Sequence, residues 1–224
     1  MKKLFSAFLC LTCLALVLSS CVKGSDNQTS GDDGQNNTPE IVEPAYTPEF
    51  FTGYEKTDKS NPRAVAVMIN NITAARPQRG LSQADILVES KVEGGITRFM
   101  AIYSDYSKVT GDIGPVRSGR DQFLQLAMPW HALYIHVGRS GVTQTMIDTY
   151  EYNDSDADGY KKNLTYRDQN RLNQGYATEH TAFTTADLLN SLFTKYDYET
   201  TYKYGSPCFD FVRYDENNGI RQLT

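Results

Sequence analysis

The sequence predicts a mixed α/β domain whose mixed sheet contains a β-hairpin and is covered by helices, and three observations carry that expectation. Ala64 to Ile69 is a continuous apolar run bounded by Pro62 and Asn70-Asn71, which suits a strand covered on both faces. Ile86 to Val92 and Ile96 to Ser104 are β-rich runs separated by Glu93-Gly94-Gly95, where paired glycines permit the positive φ angles of a tight hairpin turn. From Ala132 onward a strand-like run passes through glycines into helical periodicity, so strand and helix alternate.

In chain order, the Ala64–Ile69 strand is expected at the centre of the sheet. The turn-prone stretch Arg76-Pro77-Gln78-Arg79-Gly80 leads to the hairpin. With Gly94-Gly95 as a two-residue turn, Lys91 faces Arg98 and Glu89 lies diagonally from Arg98 on the same face, within reach of an ion pair. After a turn at Gly111 to Pro115, Ser118 is positioned to cap a helix running to Met128. Phe123, Leu124, Ala127 and Met128 form its apolar stripe, and Pro129 ends it. Ala132 to Val137 is the next strand, and Gly138 to Gly141 opens a helix with Val142, Met146, Ile147 and Tyr150 on one side. Glu151 to Thr178 is polar and reads as a long surface loop, and the helix resumes at Thr185. The globular domain is placed at residues 48–224, about 175 residues, ample for one core.

What precedes this domain concerns location. Lys2 and Lys3 stand before an apolar run from Leu4 to Leu18, too short for a comfortable membrane span, so residues 1–20 read as a signal peptide. The run ends Leu18-Ser19-Ser20-Cys21, the pattern of a lipobox, in which small residues admit the peptidase and the cysteine thiol takes a diacylglycerol. The expected product is anchored through lipid on Cys21, with palmitate-type chains, on the extracytoplasmic face of the cell membrane. Residues 21–47 form a tether rich in Gly, Ser, Asn, Asp, Gln and Thr, with a root-mean-square span of roughly 25 to 30 Å.

The formal charge of −5 falls to about −7 once the signal and its two lysines leave. Nothing in this acidic chain supplies a basic stripe for phosphate backbones, which excludes nucleic acid as a partner. Cys10 and Cys13 depart with the signal and Cys21 is acylated. Cys208 is therefore left without a disulfide partner and is read as a small apolar residue of the run Cys208 to Val212. Asp154, Asp156 and Asp158 before Gly159 resemble the start of a calcium loop, but Thr165 stands where its glutamate should be. His131, His136 and His180 lack the spacing of a zinc pair. No metal and no cofactor are expected. His136, within an apolar strand, suits either a satisfied core residue or the polar end of a strand beneath a ligand.

Several blocks resemble the YerB-like lipoproteins. They are Arg76-Pro77-Gln78 with Gly80-Leu81-Ser82-Gln83-Ala84-Asp85-Ile86, Val92-Glu93-Gly94-Gly95-Ile96-Thr97-Arg98-Phe99, and Ile113-Gly114-Pro115-Val116-Arg117-Ser118-Gly119-Arg120. Tyr134-Ile135-His136-Val137-Gly138, and more weakly Arg167-Asp168-Gln169-Asn170-Arg171 through Glu179-His180-Thr181, extend the likeness over most of the chain after the tether. Arg139-Ser140-Gly141 departs from the smaller Gly-Ser-Pro-like turn usual in the family. The resemblance implies no established activity for this domain. It also implies a second, smaller β-rich domain that nothing here matches, so Pro207 to Thr224 is expected to end as an unfinished strand with exposed apolar groups.

Function must therefore be read from charged side chains at positions where a packed fold would prefer apolar ones. Glu89, Glu93, Arg98, Arg117, Arg120 and His136 are expected to line one cleft at an end of the sheet. An arginine fork suits carboxylate or phosphate, and helix termini and loops gather at strand ends. The expected role is a noncatalytic binding or assembly module of the envelope that recognises a cell-wall anion, a lipid anion or an envelope protein. The alternative is an envelope hydrolase using the carboxylates of Glu89 and Glu93 with His136 as base, although no catalytic residue is assigned and no nucleophile elbow occurs.

Overall fold

A computed structural model describes residues 49–54, 61–156, 163–202, 209, 211–215 and 219–223. The expected signal peptide, Cys21 and the expected tether lie outside the described residues, as do Asp158, Gly159 and Cys208. The expected sheet is present. Strands β1 (Val65–Asn70), β2 (Ile86–Lys91), β3 (Thr97–Tyr103), β4 (Leu133–His136) and β5 (Asp154–Asp156) lie in the order β2-β3-β1-β4-β5. β1 runs antiparallel to β3 and parallel to β4, and β5 is parallel to β4, so the sheet is mixed. The apolar run is its central strand, and all six of its residues are buried.

Alternation along the strands divides the core into two layers. Val65, Val67, Ile69, Ala101, Tyr103, Leu133 and Ile135 face one side, where helix α4 (Ala186–Lys195) contributes Leu189, Leu192 and Phe193. Ala66, Met68, Met100, Ile102 and Tyr134 face the other, covered by Phe123, Leu124 and Ala127 of helix α1 (Asp121–Ala127) and Ile147 of helix α2 (Gly141–Tyr150). Each such buried Leu, Ile or Phe contributes about 1.5–3 kcal/mol, so the layers rather than any polar contact hold the sheet. The helix expected from Thr185 begins at Ala186, and Thr185 caps it by accepting a hydrogen bond from Leu188 N.

Five local expectations are corrected. The hairpin loop is Val92 to Ile96, closed by a bond from Val92 N to Ile96 O of 2.8 Å, rather than two glycines alone. Glu93–Gly95 forms a 3₁₀ turn in which Gly94 and Gly95 take φ of 73° and 74°. The longer loop shifts the register by one, so Arg98 pairs with Ser90 and Glu89 with Phe99. A one-residue shift turns side chains to the opposite face, which separates Glu89 from Arg98. Helix α1 starts at Asp121 with Arg120 as its cap, because Ser118 lies in extended chain. On α2 the buried residues are Thr143 and Ile147, whereas Val142 and Tyr150 are exposed. Finally, Glu151 to Thr178 is not a plain loop: it carries β5, strand β6 (Tyr166–Arg167) paired with β7 (Ala182–Phe183), and helix α3 (Gln169–Asn173). Near the end of the chain, β8 (Phe211–Asp215) and β9 (Gly219–Leu223) pair with each other as a hairpin instead of leaving one strand unfinished, and Phe209 before them is exposed.

The feature that shapes the site is a wedge between the two central strands. β1 and β4 pair only from Val65 to Val67, and beyond that the extended segment Pro115–Gly119 fills the gap. Asn70 N donates to Pro115 O and Arg117 N to Met68 O on one side, while Val137 N donates to Arg117 O and Gly119 N to Gly138 O on the other. Gly119 is required by close approach: a Cβ there would lie 2.9 Å from Tyr134 Cε1 and 3.2 Å from His136 Cγ. The Tyr134 hydroxyl accepts from Arg120 N at 3.0 Å and donates to Arg120 O at 3.1 Å, fixing the backbone where the wedge enters α1. Burial pushes the Tyr134 phenol pKa above its ordinary value.

Replacing Tyr134 by Phe takes the hydroxyl away from Arg120 N, while Arg120 O keeps the amides of Phe123 and Leu124, and urea unfolding should show a loss of about 1–3 kcal/mol; an unchanged midpoint would mean the hydroxyl carries no structural duty. Gly119→Ala forces a methyl group against Tyr134 and should cost about 1–3 kcal/mol in the same assay.

Candidate functional site

The wedge lies where β1 and β4 end, the location at which open α/β sheets commonly bind ligands. Three guanidinium groups meet there. Arg98, on the Met100 face of β3 and only 4 % exposed, donates from Nη1 to Ser118 O at 2.6 Å, while its buried Nε has no hydrogen-bond partner among the described residues. Burial, reinforced by the charges of Arg120 and Arg117, pushes its pKa down to about 10. Arg120 donates from Nε to both carboxylate oxygens of Glu93, at 2.7 and 2.8 Å, and from Nη1 to Gly119 O at 2.7 Å. That contact holds the Glu93 carboxyl below its usual pKa. Arg117 reaches across to Glu179 Oε2 at 3.1 Å and to Ser118 Oγ at 3.3 Å.

Arg117 opens onto a cleft of about 450 Å³, lined also by Ser118, Gly138, Arg167, Thr178 and Glu179. Its far wall is the 3₁₀ turn Thr178–His180, which Arg167 holds by donating to Thr178 O at 2.8 Å. That wall is anchored from behind. Buried Arg171 donates to His180 O and Ala75 O, at 3.0 and 2.9 Å, and to Pro77 O. Asp168 caps α3 through Asn170 N and Arg171 N and meets Arg79 at 2.7 Å. Arg79 also pairs with Asp112 at 2.7 Å, so the loop before the hairpin and the segment after β6 form one support.

Of the six residues the sequence singles out, Glu93, Arg98, Arg117 and Arg120 gather at the wedge, but only Arg117 lines the open cleft. His136 lies beneath Gly119, fully buried, with Nδ1 on Gly138 O at 2.8 Å and Nε2 on Asp154 Oδ2 at 3.1 Å. It is therefore the enclosed polar end of a strand, and neither ring nitrogen is left to take a proton from a substrate. Glu89 sits elsewhere: its Oε1 accepts from Thr97 Oγ1 at 2.6 Å and from Asn71 Nδ2 at 2.9 Å. The expected Glu89–Arg98 bridge does not form, because the hairpin register puts these side chains on opposite faces. The proposed carboxylate pair is also bound up, Glu93 on Arg120 and Glu89 on Asn71 and Thr97.

Sequence reasoning missed Arg167, Thr178 and Glu179, which lie in the polar stretch taken for surface loop or just beyond it. The available signal was the Arg167-Asp168 to Glu179-His180 block, which carries family likeness without apolar periodicity. Among the described residues no group of three or more metal-ligating side chains forms, and Asp154 serves His136 instead.

Comparison with known proteins agrees with this architecture. The family described as Protein of unknown function (DUF3048) N-terminal domain matches residues 51–199. The chain is 44% identical over 91 residues to "Putative lipoprotein YerB" of Bacillus subtilis (strain 168), a match covering 40% of this chain and 27% of that protein. It also superposes on the crystal structure of YerB protein from Bacillus subtilis with a TM-score of 0.64 and 28% identity, covering 79% of this chain and 61% of that one. The matched regions thus span less than two thirds of either relative. Sharing that fold, and matching the family over more than half of its length, the chain belongs to the YerB-like DUF3048 family.

Proposed function

We propose that the protein is a membrane-anchored envelope lipoprotein whose domain binds an anionic group in the cleft beside Arg117, without catalysing a reaction on it. The anchoring half of this reading rests on the Leu18-Ser19-Ser20-Cys21 pattern behind a basic, apolar leader, and on the lipoprotein name of its Bacillus subtilis relative. The binding half rests on one observation: in a chain with excess acid, Arg98, Arg117 and Arg120 gather at the extended wedge Pro115–Gly119, beside a cleft lined by Arg117 and Arg167. Facing them are Glu93 and Glu179, whose side chains are 66% and 49% exposed. Cationic charge held on a rigid turn beside an opening attracts an anion, and arginine forks suit carboxylate or phosphate oxygens. The hydrolase reading loses its base, since His136 is enclosed with both nitrogens engaged.

Two outcomes are expected. Arg117→Ala should weaken binding of inorganic pyrophosphate to the purified protein roughly tenfold, the loss of one charge-assisted contact. Its melting temperature should move by only a few degrees, because a half-exposed pair contributes about 0–1 kcal/mol. Unchanged affinity for this probe would remove Arg117 from the binding surface. Separately, Cys21→Ser should shift the protein from the membrane fraction to the soluble fraction, and retention on membranes would show that lipid on Cys21 is not the anchor.

A further inference from the structure

We infer that Glu179 is an internal competitor for the anion at Arg117, and that the group which displaces it is a phosphate rather than a carboxylate. The inference rests on the anion-cleft reading and adds a specificity to it. Glu179 offers one oxygen to one nitrogen of Arg117, Oε2 to Nη2 at 3.1 Å, although a guanidinium fork accommodates two oxygens. The pair is open to water, with 27% of the arginine and 49% of the glutamate side chain exposed, so it is weak enough for a ligand to break.

The turn that carries Glu179 is nevertheless fixed. Asn70 Oδ1 accepts from Ile72 N at 3.3 Å, which orients the amide so that its Nδ2 donates to His180 Nδ1 at 3.1 Å. On the other side of the ring, His180 Nε2 lies 3.6 Å from Glu179 Oε1, a supporting approach rather than a hydrogen bond. With His180 O held by Arg171, only the Glu179 side chain needs to move for the cleft to open.

Displacement decides the ligand class. A ligand carboxylate would exchange one carboxylate for another on Arg117 while giving up its own translational freedom, so it gains little. A phosphate carries more charge and further acceptor oxygens. It can engage both positions of the Arg117 fork together with the neighbouring Ser118 hydroxyl and Arg167, which line the same cleft.

The test is calorimetric titration of the full chain and its Glu179→Gln, Arg117→Ala and doubly substituted variants with inorganic pyrophosphate and with succinate. Wild type should bind pyrophosphate more tightly than succinate, and Glu179→Gln should tighten pyrophosphate binding about two- to fivefold. That gain should vanish in the Arg117→Ala background. If Glu179→Gln leaves the affinity unchanged or lowers it while Arg117→Ala still weakens binding, the competitor role is overturned and the anion cleft stands. If Arg117→Ala has no effect either, the cleft reading falls and takes the competitor with it. Succinate binding as tight as pyrophosphate overturns the ligand class. Repeating the titrations with glycerol phosphate and with phosphatidic acid vesicles separates a soluble or polymer-borne phosphate from a lipid headgroup; a Glu179→Gln gain with either supports the inference, and a gain with neither overturns it.

Discussion

Everything at the site depends on how the backbone between β1 and β4 is satisfied. Two parallel strands that separate after three paired residues expose buried N–H and C=O groups, which cannot be left unpaired in a dry interior. The segment Pro115–Gly119 resolves this by bonding to Asn70 and Met68 on one flank and to Val137 and Gly138 on the other. Proline is admissible at its start because Pro115 contributes only a carbonyl, which Asn70 N takes. Main-chain bonds on both flanks therefore place Arg117, and the Tyr134 hydroxyl holds the Arg120 backbone beside it, so neither position depends on the contacts the arginine side chains later make. A site carried on such a wedge is more rigid than one on a free loop.

The same placement explains why polar networks rather than apolar contacts build the far wall of the cleft. The segment from Tyr166 to Thr181 has few buried apolar side chains, and Arg171, Asp168 and Arg79 fix it by charge-assisted bonds to backbone and to each other. Arg171 and Arg79 also lie over the Phe183 ring, at 4.8 and 4.6 Å, so their planar faces are used along with their donors. Asp168 stays ionised in this setting: burial raises its pKa, but the Arg171 and Asn170 amides and Arg79 together hold it below the usual aspartate value.

How much of this was legible in the sequence follows from what each signal measures. Ala64 to Ile69 announced a central strand because burial on both faces demands an unbroken apolar run, and the helical pattern from Thr185 announced α4. The hairpin was legible but its register was not. Gly94 and Gly95 do adopt positive φ, yet nothing local distinguishes a two-residue turn from a five-residue loop, and that single step decided whether Glu89 or Ser90 faced Arg98. The arginines were visible as charged residues within apolar blocks. Glu179 and Arg167 were not, because a wall assembled from long-range polar bonds, such as Arg171 to Ala75 and Asn70 to His180, leaves no periodicity to read.

Arg98 is the residue whose setting the proposed binding role would account for most directly. Its hydrogen bond to Ser118 O could stabilise the wedge, but the same guanidinium lies desolvated near two others, and burial and mutual repulsion both disfavour its charge. A buried charge without a close partner is a poor stabiliser, and an apolar residue continuing the Met100 and Ile102 face would satisfy the core at lower cost. Glu93 is engaged by Arg120 and faces solvent, so it screens Arg98 only at a distance. The cost of the arrangement becomes intelligible if an anion arriving at the cleft offsets it. A positive field prepared by fixed, partly desolvated arginines requires no rearrangement when the anion arrives, and it acts most strongly where water is already excluded.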